Sequence, residues 1–427
     1  MTDNIKELTA FLSKAHSPFH VTRMVAGMLE QEGFVRLQEK DPWGLLPGGK
    51  YYIVRGGSSL LAFRIPTQTP SGFMMAASHD DFPAFQVKGS MERTGRYTRI
   101  DLEPYGGSLL FSWLDRPLSV AGRVMVAAEE GVEERLIDID RDLALIPNVA
   151  IHMNREVNDG YRWNPAVDLY PLVGGADSAG KFRKLIEQEA GGEIMGLDLR
   201  LYIRQNPTVW GLDEEYFSGA GLDDLTCVWA STKGFLHSEE SQAIPMLCIF
   251  DHEEVGSVTC QGADSTYLES VLMRICRSRG LDVNRMLSQS FMISADNGHA
   301  VHPNHPEFAD RENAPVVNSG VLLKFHANRK YTTDGLSASV FRTVCRMAGV
   351  ESQNFCNRPD LTGGSTLGNV SIGHVSVPSV DIGLPQLAMH SCYETAGVKD
   401  IEDLYAIFKT YYSKALLTPE EGQYHLR

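Results

Sequence analysis

The chain has 427 residues, of which 43% are hydrophobic and 22% charged, so it has room for two or three domains and is too apolar to be disordered. Its 39 Lys and Arg against 54 Asp and Glu give a formal net charge of −15, which argues against nucleic acid or an anionic membrane as the main partner. No apolar run approaches the roughly 20 residues of a membrane span.

The first part of the chain predicts two helices followed by short strands. Residues 5–12 carry their apolar side chains on one helical face, and Ser17 and Pro18 supply an N-cap and a first-turn proline for the next helix. Short apolar runs then predict strands at 51–54, 60–65 and 73–77.

The pattern of apolar and polar residues changes in the segment 89–212, where we predict an inserted β-rich domain. Turn clusters there separate short runs of alternating apolar and polar residues. These runs, which predict strands, are 97–102, 109–114, 118–126 and 144–153. The stretch 168–196 is rich in Gly, Asp and Glu and predicts a loop with a short helix.

After residue 213 predicted strands and helices alternate. The helices are expected at 225–236, 267–279, 337–348 and 401–417, and the strands at 246–250 and 291–294. Alternation of this kind predicts a mostly parallel sheet flanked by helices on both faces. We therefore predict one α/β domain, formed by 1–88 and 213–427, that the β-rich segment interrupts.

The cysteines and the first residues bear on the compartment. Seven cysteines, an odd number without any Cys-x-x-Cys spacing, are typical of scattered thiols in a reducing environment. The first residues lack the basic and then apolar pattern of a signal peptide. We expect a cytoplasmic protein.

The segment most informative about chemistry is 251–257, which directly follows the predicted strand 246–250. Its adjacent Glu253 and Glu254 are costly to desolvate unless a cation or proton chemistry compensates them. Hydrolases use such a pair when one carboxylate holds a metal and its neighbour acts as a general base. The alternative is a solvated turn. Because Gly256 stands where the helical HExxH motif needs its second histidine, any further ligands must lie elsewhere in the chain.

Three other apolar runs lead into residues that commonly bind metals. His79 and Asp81 follow one run, Asp296 follows another, and His390 follows a third, while Asp223 lies at a predicted helix start. In open α/β sheets, sites gather at the carboxyl ends of the strands, so these residues can converge. Histidine and carboxylate ligands without thiolate suit catalytic zinc, cobalt or manganese. Asp81 is placed to accept the second N–H of a metal-bound His79, although residues 80 and 81 could instead cap a helix.

The most distinctive blocks of the sequence are 17–20, 79–88, 105–108, 113–116, 121–124, 146–152, 221–225, 251–257, 294–296, 299–304 and 385–391. In these blocks the chain resembles, nearly end to end and in the same order, the aspartyl aminopeptidases, a family of dinuclear metallo-aminopeptidases. Several blocks in one order are far more specific than any single motif.

The resemblance implies two divalent cations and their ligands. His79, Asp223 and Asp296 would hold one cation. A second would lie between Asp223, Glu254 and His390, so that Asp223 bridges the two. Zinc is the metal expected first, with cobalt or manganese as alternatives. Such cations lie about 3.5–4 Å apart, lower the pKa of water and polarise the scissile carbonyl.

The resemblance also implies roles around the cations. Asp81 would orient His79, and Glu253 would be the general base that deprotonates the attacking water and passes the proton to the leaving amine. Lys324 matches a lysine placed to meet an acidic substrate side chain, although without the family it would be interpreted as a surface lysine. His152 matches a histidine that reaches into the site of a neighbouring subunit.

The family architecture is a catalytic domain, here 1–88 with 213–427, and an inserted oligomerisation and lid domain, here 89–212. Its members form closed, tetrahedral particles of twelve subunits. One departure from the family lies in 363–369, which differs from the usual pattern near the pocket and leaves substrate preference open.

We expect an enzyme that removes N-terminal residues from peptides, acidic ones first. The alternatives are an aminopeptidase for neutral or apolar residues, a single-metal amidase or deacylase on the same fold, and a non-enzymatic shell protein.

Overall fold

A computed structural model shows a mixed α/β fold for the described residues, which are 1–361, 363, 364, 366, 368 and 371–427. Positions 365, 367 and 369 of the departing segment 363–369 lie outside them. Among the helices that the structure describes, none combines the length and the apolar character needed to cross a bilayer. The helices are α1 (Asp3–Leu12), α2 (Pro18–Gln31), α3 (Pro165–Asp168), α4 (Lys181–Ala190), α5 (Leu222–His237), α6 (Tyr267–Arg279), α7 (Val283–Leu287), α8 (Gly335–Ala348) and the C-terminal helix Val398–Tyr412.

The strands of the described residues form sheets of nine, six, five and two strands. They are β1 (Val35–Arg36), β2 (Lys50–Arg55), β3 (Ser59–Arg64), β4 (Phe73–His79), β5 (Ala84–Arg93), β6 (Tyr97–Tyr105), β7 (Leu118–Ala128), β8 (Gly131–Asp138), β9 (Leu172–Gly175), β10 (Ile194–Ile203), β11 (Thr208–Trp210), β12 (Tyr216–Gly219), β13 (Ile244–Phe250), β14 (Phe291–Ala295), β15 (Gly298–His299), β16 (Val321–Phe325), β17 (Ser352–Cys356), β18 (Ser379–Gly383), β19 (Pro385–Leu387), β20 (Glu394–Gly397), β21 (Leu416–Leu417) and β22 (His425–Leu426).

The nine-stranded sheet has the order β1-β2-β3-β13-β4-β14-β18-β16-β17, and its four central strands, from β13 to β18, run parallel. Side chains along β4 alternate between two cores on opposite faces: Met74 and Ala76 enter one, Met75 and Ala77 the other. Burial on both faces explains why the sequence shows continuous apolar runs here. The predicted parallel sheet flanked by helices is confirmed.

The six-stranded sheet, β8-β7-β10-β5-β6-β9, takes its strands from 84–203 and has a separate hydrophobic core. The boundary predicted at residue 89 therefore falls within β5, and the division into 1–88, 89–212 and 213–427 stays a prediction.

Two predicted strands of this region are wrong. The run 109–114 contains a 3₁₀ turn at Leu110–Trp113, which places Trp113 against Phe85 with their ring centroids 5.1 Å apart. The run 144–153 makes only isolated bridges before it turns, because Pro147 has no N–H with which to continue a ladder.

The five-stranded sheet, β11-β12-β20-β19-β15, contacts both α5 and the C-terminal helix through β20 and carries the loop 388–393 between β19 and β20. The C-terminal helix ends at Tyr412 rather than at the predicted residue 417. Leu416 and Leu417 instead pair with Leu426 and His425 as a short antiparallel ribbon, which accounts for the error at this end.

The ends of three parallel strands meet at one edge of the nine-stranded sheet. β4 ends at His79, β13 ends one residue before Asp251, and β14 ends one residue before Asp296. Helix α5 begins beside them, with Asp223 in its first turn. Gly221, the residue before this helix, has a φ of +62°, and an added Cβ would lie 3.1 Å from the Phe82 ring. The fold thus brings distant ligand-type residues to one place.

The contact between α5 and the C-terminal helix gives a stability prediction. A Cβ added at Gly234 would lie 2.5 Å from Cβ of Phe408 and 2.7 Å from the backbone nitrogen of Lys409. Gly234→Ala should therefore lower the thermal unfolding midpoint, since overpacking costs about 1–3 kcal/mol and exceeds the gain of about 1 kcal/mol in helix propensity.

Gly27, in α2, is the matched control because no atom lies within 4 Å of an added Cβ there. Gly27→Ala should keep or slightly raise the midpoint. Equal midpoints for the two variants in parallel scans would contradict the packing argument.

Candidate metal centre

Five side chains converge at the carboxyl edge of the parallel strands. His79, Asp223 and Asp296 offer ligand atoms within 4.8 Å of one another, and Asp223, Glu254 and His390 do the same. Asp223 belongs to both groups through different oxygens: its Oδ1 lies 3.8 Å from Nε2 of His79 and its Oδ2 lies 3.6 Å from Nε2 of His390. One carboxylate therefore faces two adjacent groups of ligand atoms.

Both histidines are oriented by backbone carbonyls. Nδ1 of His79 lies 2.9 Å from the carbonyl oxygen of Asp81 and 3.3 Å from its carboxylate, so the nearer acceptor is the main chain. Nδ1 of His390 lies 3.1 Å from the carbonyl oxygen of Gly107. With Nδ1–H donating to these carbonyls, Nε2 of each ring points at the carboxylates, which is the tautomer that a metal ligand needs.

The carboxylate of Asp81 holds the acid pair in place. It accepts the backbone N–H of Glu253 at 3.0 Å and of Glu254 at 3.1 Å, and the hydroxyl of Tyr105 at 2.6 Å. Burial opposes its charge, but the bond with His79, the charge of Arg200 and the Tyr105 hydroxyl hold the pKa of Asp81 below its usual value. Asp81 therefore supports Glu253 and Glu254 as well as His79.

Several residues around the cluster were not predicted from the sequence. Arg200, on β10, is buried with its guanidinium 3.8 Å from the ring centroid of Tyr105 and 4.0 Å from Oδ1 of Asp251. Glu394, at the start of β20, is also buried and contacts the backbone of the site. No feature of the sequence around Arg200 indicated that it is buried beside carboxylates, and in the fold it pairs with Gln86 of β5.

The electrostatics of the cluster favour a cation. Burial first, and neighbouring carboxylates next, raise the pKa values of Glu253, Glu254 and Asp296 above the ordinary carboxyl range. Burial disfavours the charged form of His390, but its carboxylate neighbours raise its pKa to about 11. Among the residues that the structure describes, Oδ1 of Asp223 and Oε1 of Glu254 are buried without a hydrogen-bond partner. Histidine and carboxylate donors with such orphaned oxygens fit one or more divalent cations.

Glu253 lies beside the two ligand groups. Its carboxylate forms a third set with His79 and Glu254, in which the ligand atoms also lie within 4.8 Å of one another. Its backbone is fixed by Asp81, so its carboxylate is held close to the cluster.

Lys324 and His152, the other predicted site residues, lie in different surroundings. Lys324 is buried on β16, and its Nζ donates to the carbonyl of Asn297 at 2.7 Å and lies 3.3 Å from Oδ1 of Asp296. Burial opposes its charge, yet Asp296 raises the pKa of Lys324 above its usual value. His152 is exposed in a turn, and within the described part of the chain it makes no hydrogen bond or ion pair with the five clustered residues.

Comparison with known proteins shows that nearly the whole chain is similar to a family of zinc metalloproteases. A family model described as "Aminopeptidase I zinc metalloprotease (M18)" matches residues 11–412. A probable M18 family aminopeptidase 2 from Clostridium acetobutylicum is 39% identical over 424 residues, which cover 96% of this chain and 98% of that protein.

Solved structures share the fold. A chain in the cryo-EM structure of the Ape4 and Nbr1 complex superposes with a TM-score of 0.93 at 31% identity, covering 96% of this chain and 85% of that one. The mApe1 dodecamer of S. cerevisiae superposes with a TM-score of 0.84 at 26% identity, covering 96% of each chain. These matches extend over both the nine-stranded and the six-stranded sheet.

The raised carboxyl pKa values give a prediction about metal and pH. In chelator-stripped protein, these carboxyls bind protons more readily in the folded than in the unfolded state, so stability should fall as the pH rises above the ordinary carboxyl range. Added manganese should raise the thermal midpoint, and more so at about pH 8 than at about pH 5.5, because protons compete with the cation.

The control is Asp223→Asn, which should lose most of the manganese effect at both pH values. An equal rise at the two pH values, or a full rise in the Asp223→Asn variant, would contradict the assignment of the cation to this cluster.

Proposed function

Because the chain belongs to the M18 family of metallo-aminopeptidases, we propose that it removes the N-terminal residue of peptides with two divalent cations, zinc first and cobalt or manganese as alternatives. The observation that carries the two-cation proposal is the position of Asp223, whose two oxygens face His79 and His390 separately. We propose the ligands in two sets, His79, Asp223 and Asp296, and Asp223, Glu254 and His390.

Glu253 is the proposed general base. Cations bound at the cluster would polarise the scissile carbonyl and lower the pKa of the attacking water. Glu253, held by the Asp81 carboxylate through its backbone N–H, would take the proton of that water and deliver it to the leaving amine. Its raised pKa supports this role, since a base that must later act as an acid needs a pKa nearer neutrality than an exposed glutamate has.

We propose a preference for acidic N-terminal residues, with Lys324 as the group that meets the substrate carboxylate. Its support is a buried ammonium beside the cluster with one N–H left after Asn297 and Asp296 are counted. The contact with Asp296 also means that Lys324 affects the ligand set, so a test must separate the two effects.

We propose a tetrahedral dodecamer of this chain in the cytosol, with the segment 89–212 in the subunit contacts. The solved mApe1 structure is a dodecamer. Exposed Val149, Ile151 and Met153 surround His152 in the same turn, which supports a covered surface there and a His152 that enters a neighbouring site. All seven cysteines are unpaired, as in proteins of a reducing compartment.

The main test is an assay on free and N-acetylated Asp, Glu and Leu amides. The metal-loaded protein should cleave only the free amides, whereas cleavage of blocked substrates would favour an amidase or deacylase.

Glu253→Ala should keep its bound metal, measured by elemental analysis, and lose about 10²–10⁴ in kcat, the usual effect of removing a general base. Unchanged kcat would exclude Glu253 as the base.

The role of Lys324 is tested by a ratio. Lys324→Ala should reduce kcat/KM for the Asp and Glu amides more than for the Leu amide, whereas its contact with Asp296 affects all substrates alike. Lys233→Ala is the matched control and should leave the ratio unchanged, because Lys233 is a buried lysine of α5 that pairs with Glu7 of α1. Equal reduction for all three amides would leave Lys324 only as a partner of Asp296.

The assembly is tested by native mass. The protein should have a mass near twelve times that of the 47.3-kDa chain. His152→Ala should keep this mass and lose activity, because the histidine would act across the interface. An active monomer would contradict the proposal.

A further inference from the structure

Glu394 connects two of the clustered residues through their backbones. It is buried at the first position of β20, where its Oε1 accepts the N–H of His390 at 2.7 Å and its Oε2 accepts the N–H of Asp223 at 3.0 Å. Asp223 belongs to α5 and His390 to the loop after β19, so the two come from elements far apart in the chain. A single carboxylate therefore fixes their relative position.

The two N–H groups that Glu394 accepts both need an acceptor. The N–H of Asp223 is one of the first in α5, which have no partner within the helix. The N–H of His390 lies in a loop where Ala388 and His390 have φ values of +56° and +64°, the left-handed region that residues other than glycine rarely adopt. The conformation of His390 must therefore be held by contacts from outside its own segment.

Those contacts come from two sides. Glu394 accepts the N–H of His390, and the carbonyl oxygen of His390 accepts the N–H of Leu109 at 2.9 Å. Two residues on, the N–H of Cys392 donates to Oγ of Ser112 at 3.0 Å. Leu109 and Ser112 hold the outer side of the loop, whereas Glu394 alone among these groups also binds the partner carboxylate residue, Asp223.

Both oxygens of Glu394 are engaged by backbone donors, and Glu394 is in none of the groups of clustered ligand atoms among the described residues. We propose that Glu394 is a positioning residue that sets the separation of Asp223 and His390, and with it the affinity for the cation between Asp223, Glu254 and His390. This inference rests on the proposed two-cation function.

The test compares Glu394→Gln with a matched control. Glutamine keeps the shape but replaces one acceptor oxygen by an NH₂ group that would face an N–H donor. Asp400 is the control, since it is equally buried and likewise accepts two backbone N–H groups, from Asn318 and from Gly320 at 2.8 Å, with neither donor in the cluster.

Chelator-stripped proteins would be titrated with zinc in competition with a chromophoric chelator. The wild type should bind two ions, and Asp400→Asn should do the same with unchanged affinities. Glu394→Gln should bind one of the two ions about 10–100-fold more weakly, the size expected when a residue behind a ligand is lost. Its kcat should recover as the zinc concentration rises, at a temperature at which the metal-free variant is folded, so that the recovery measures metal affinity and not refolding.

If Glu394→Gln and Asp400→Asn lose similar stability while both bind two ions as the wild type does, Glu394 is only a helix and loop cap and the inference is wrong. A wild type that binds fewer than two ions would instead contradict the proposed function. If Glu394→Gln does not fold, Glu394→Asp is titrated in its place, because the shorter carboxylate can reach only one of the two N–H groups. An unchanged affinity in Glu394→Asp would also overturn the inference.

Discussion

The concentration of buried carboxylates at one sheet edge is the constraint on which the rest of this structure depends. Four of the carboxylates there form two pairs. Asp81 and Glu394 have both oxygens bound by N–H or O–H donors of the protein. Asp223 and Glu254 each retain a buried oxygen without a partner among the described residues. Glu394 and Asp81 hold the backbones of Asp223 and Glu254 in place, and the unpartnered oxygens of Asp223 and Glu254 fit a cation.

The strands that end at this edge were predicted correctly from the sequence, and there is a physical reason for this. β4, β13 and β14 are buried on both faces, so they appear as continuous apolar runs, and the rule that sites lie at the carboxyl ends of parallel strands places His79, Glu254 and Asp296 together. Prediction failed where burial did not follow a period, as in 109–114, where one tryptophan enters the core from a 3₁₀ turn, and in 144–153, where a proline ends the pairing.

Apart from Asp81, the residues that support the site could not be predicted, because their contacts depend on the folded pairing of distant segments. Arg200 and Tyr105 come from the six-stranded sheet yet lie beside Asp251 and Asp81, which follow β13 and β4 of the nine-stranded sheet. Gly107 meets His390 although 283 positions separate them. No local pattern encodes such contacts, so the sequence identified the residues that face the cluster, together with Asp81, and missed Arg200, Glu394 and Gly107 behind them.

The carbonyl of Gly107 has a consequence for how this protein can change over evolutionary time. A main-chain oxygen is present whatever side chain occupies the position, so no single substitution deletes the acceptor that selects the tautomer of His390. The same holds for His79 and the carbonyl of Asp81. Neighbouring pocket residues can therefore be substituted, with a change in substrate specificity, without changing the tautomer of either ring. Only a change in the path of the backbone would alter the orientation of the two Nε2 atoms.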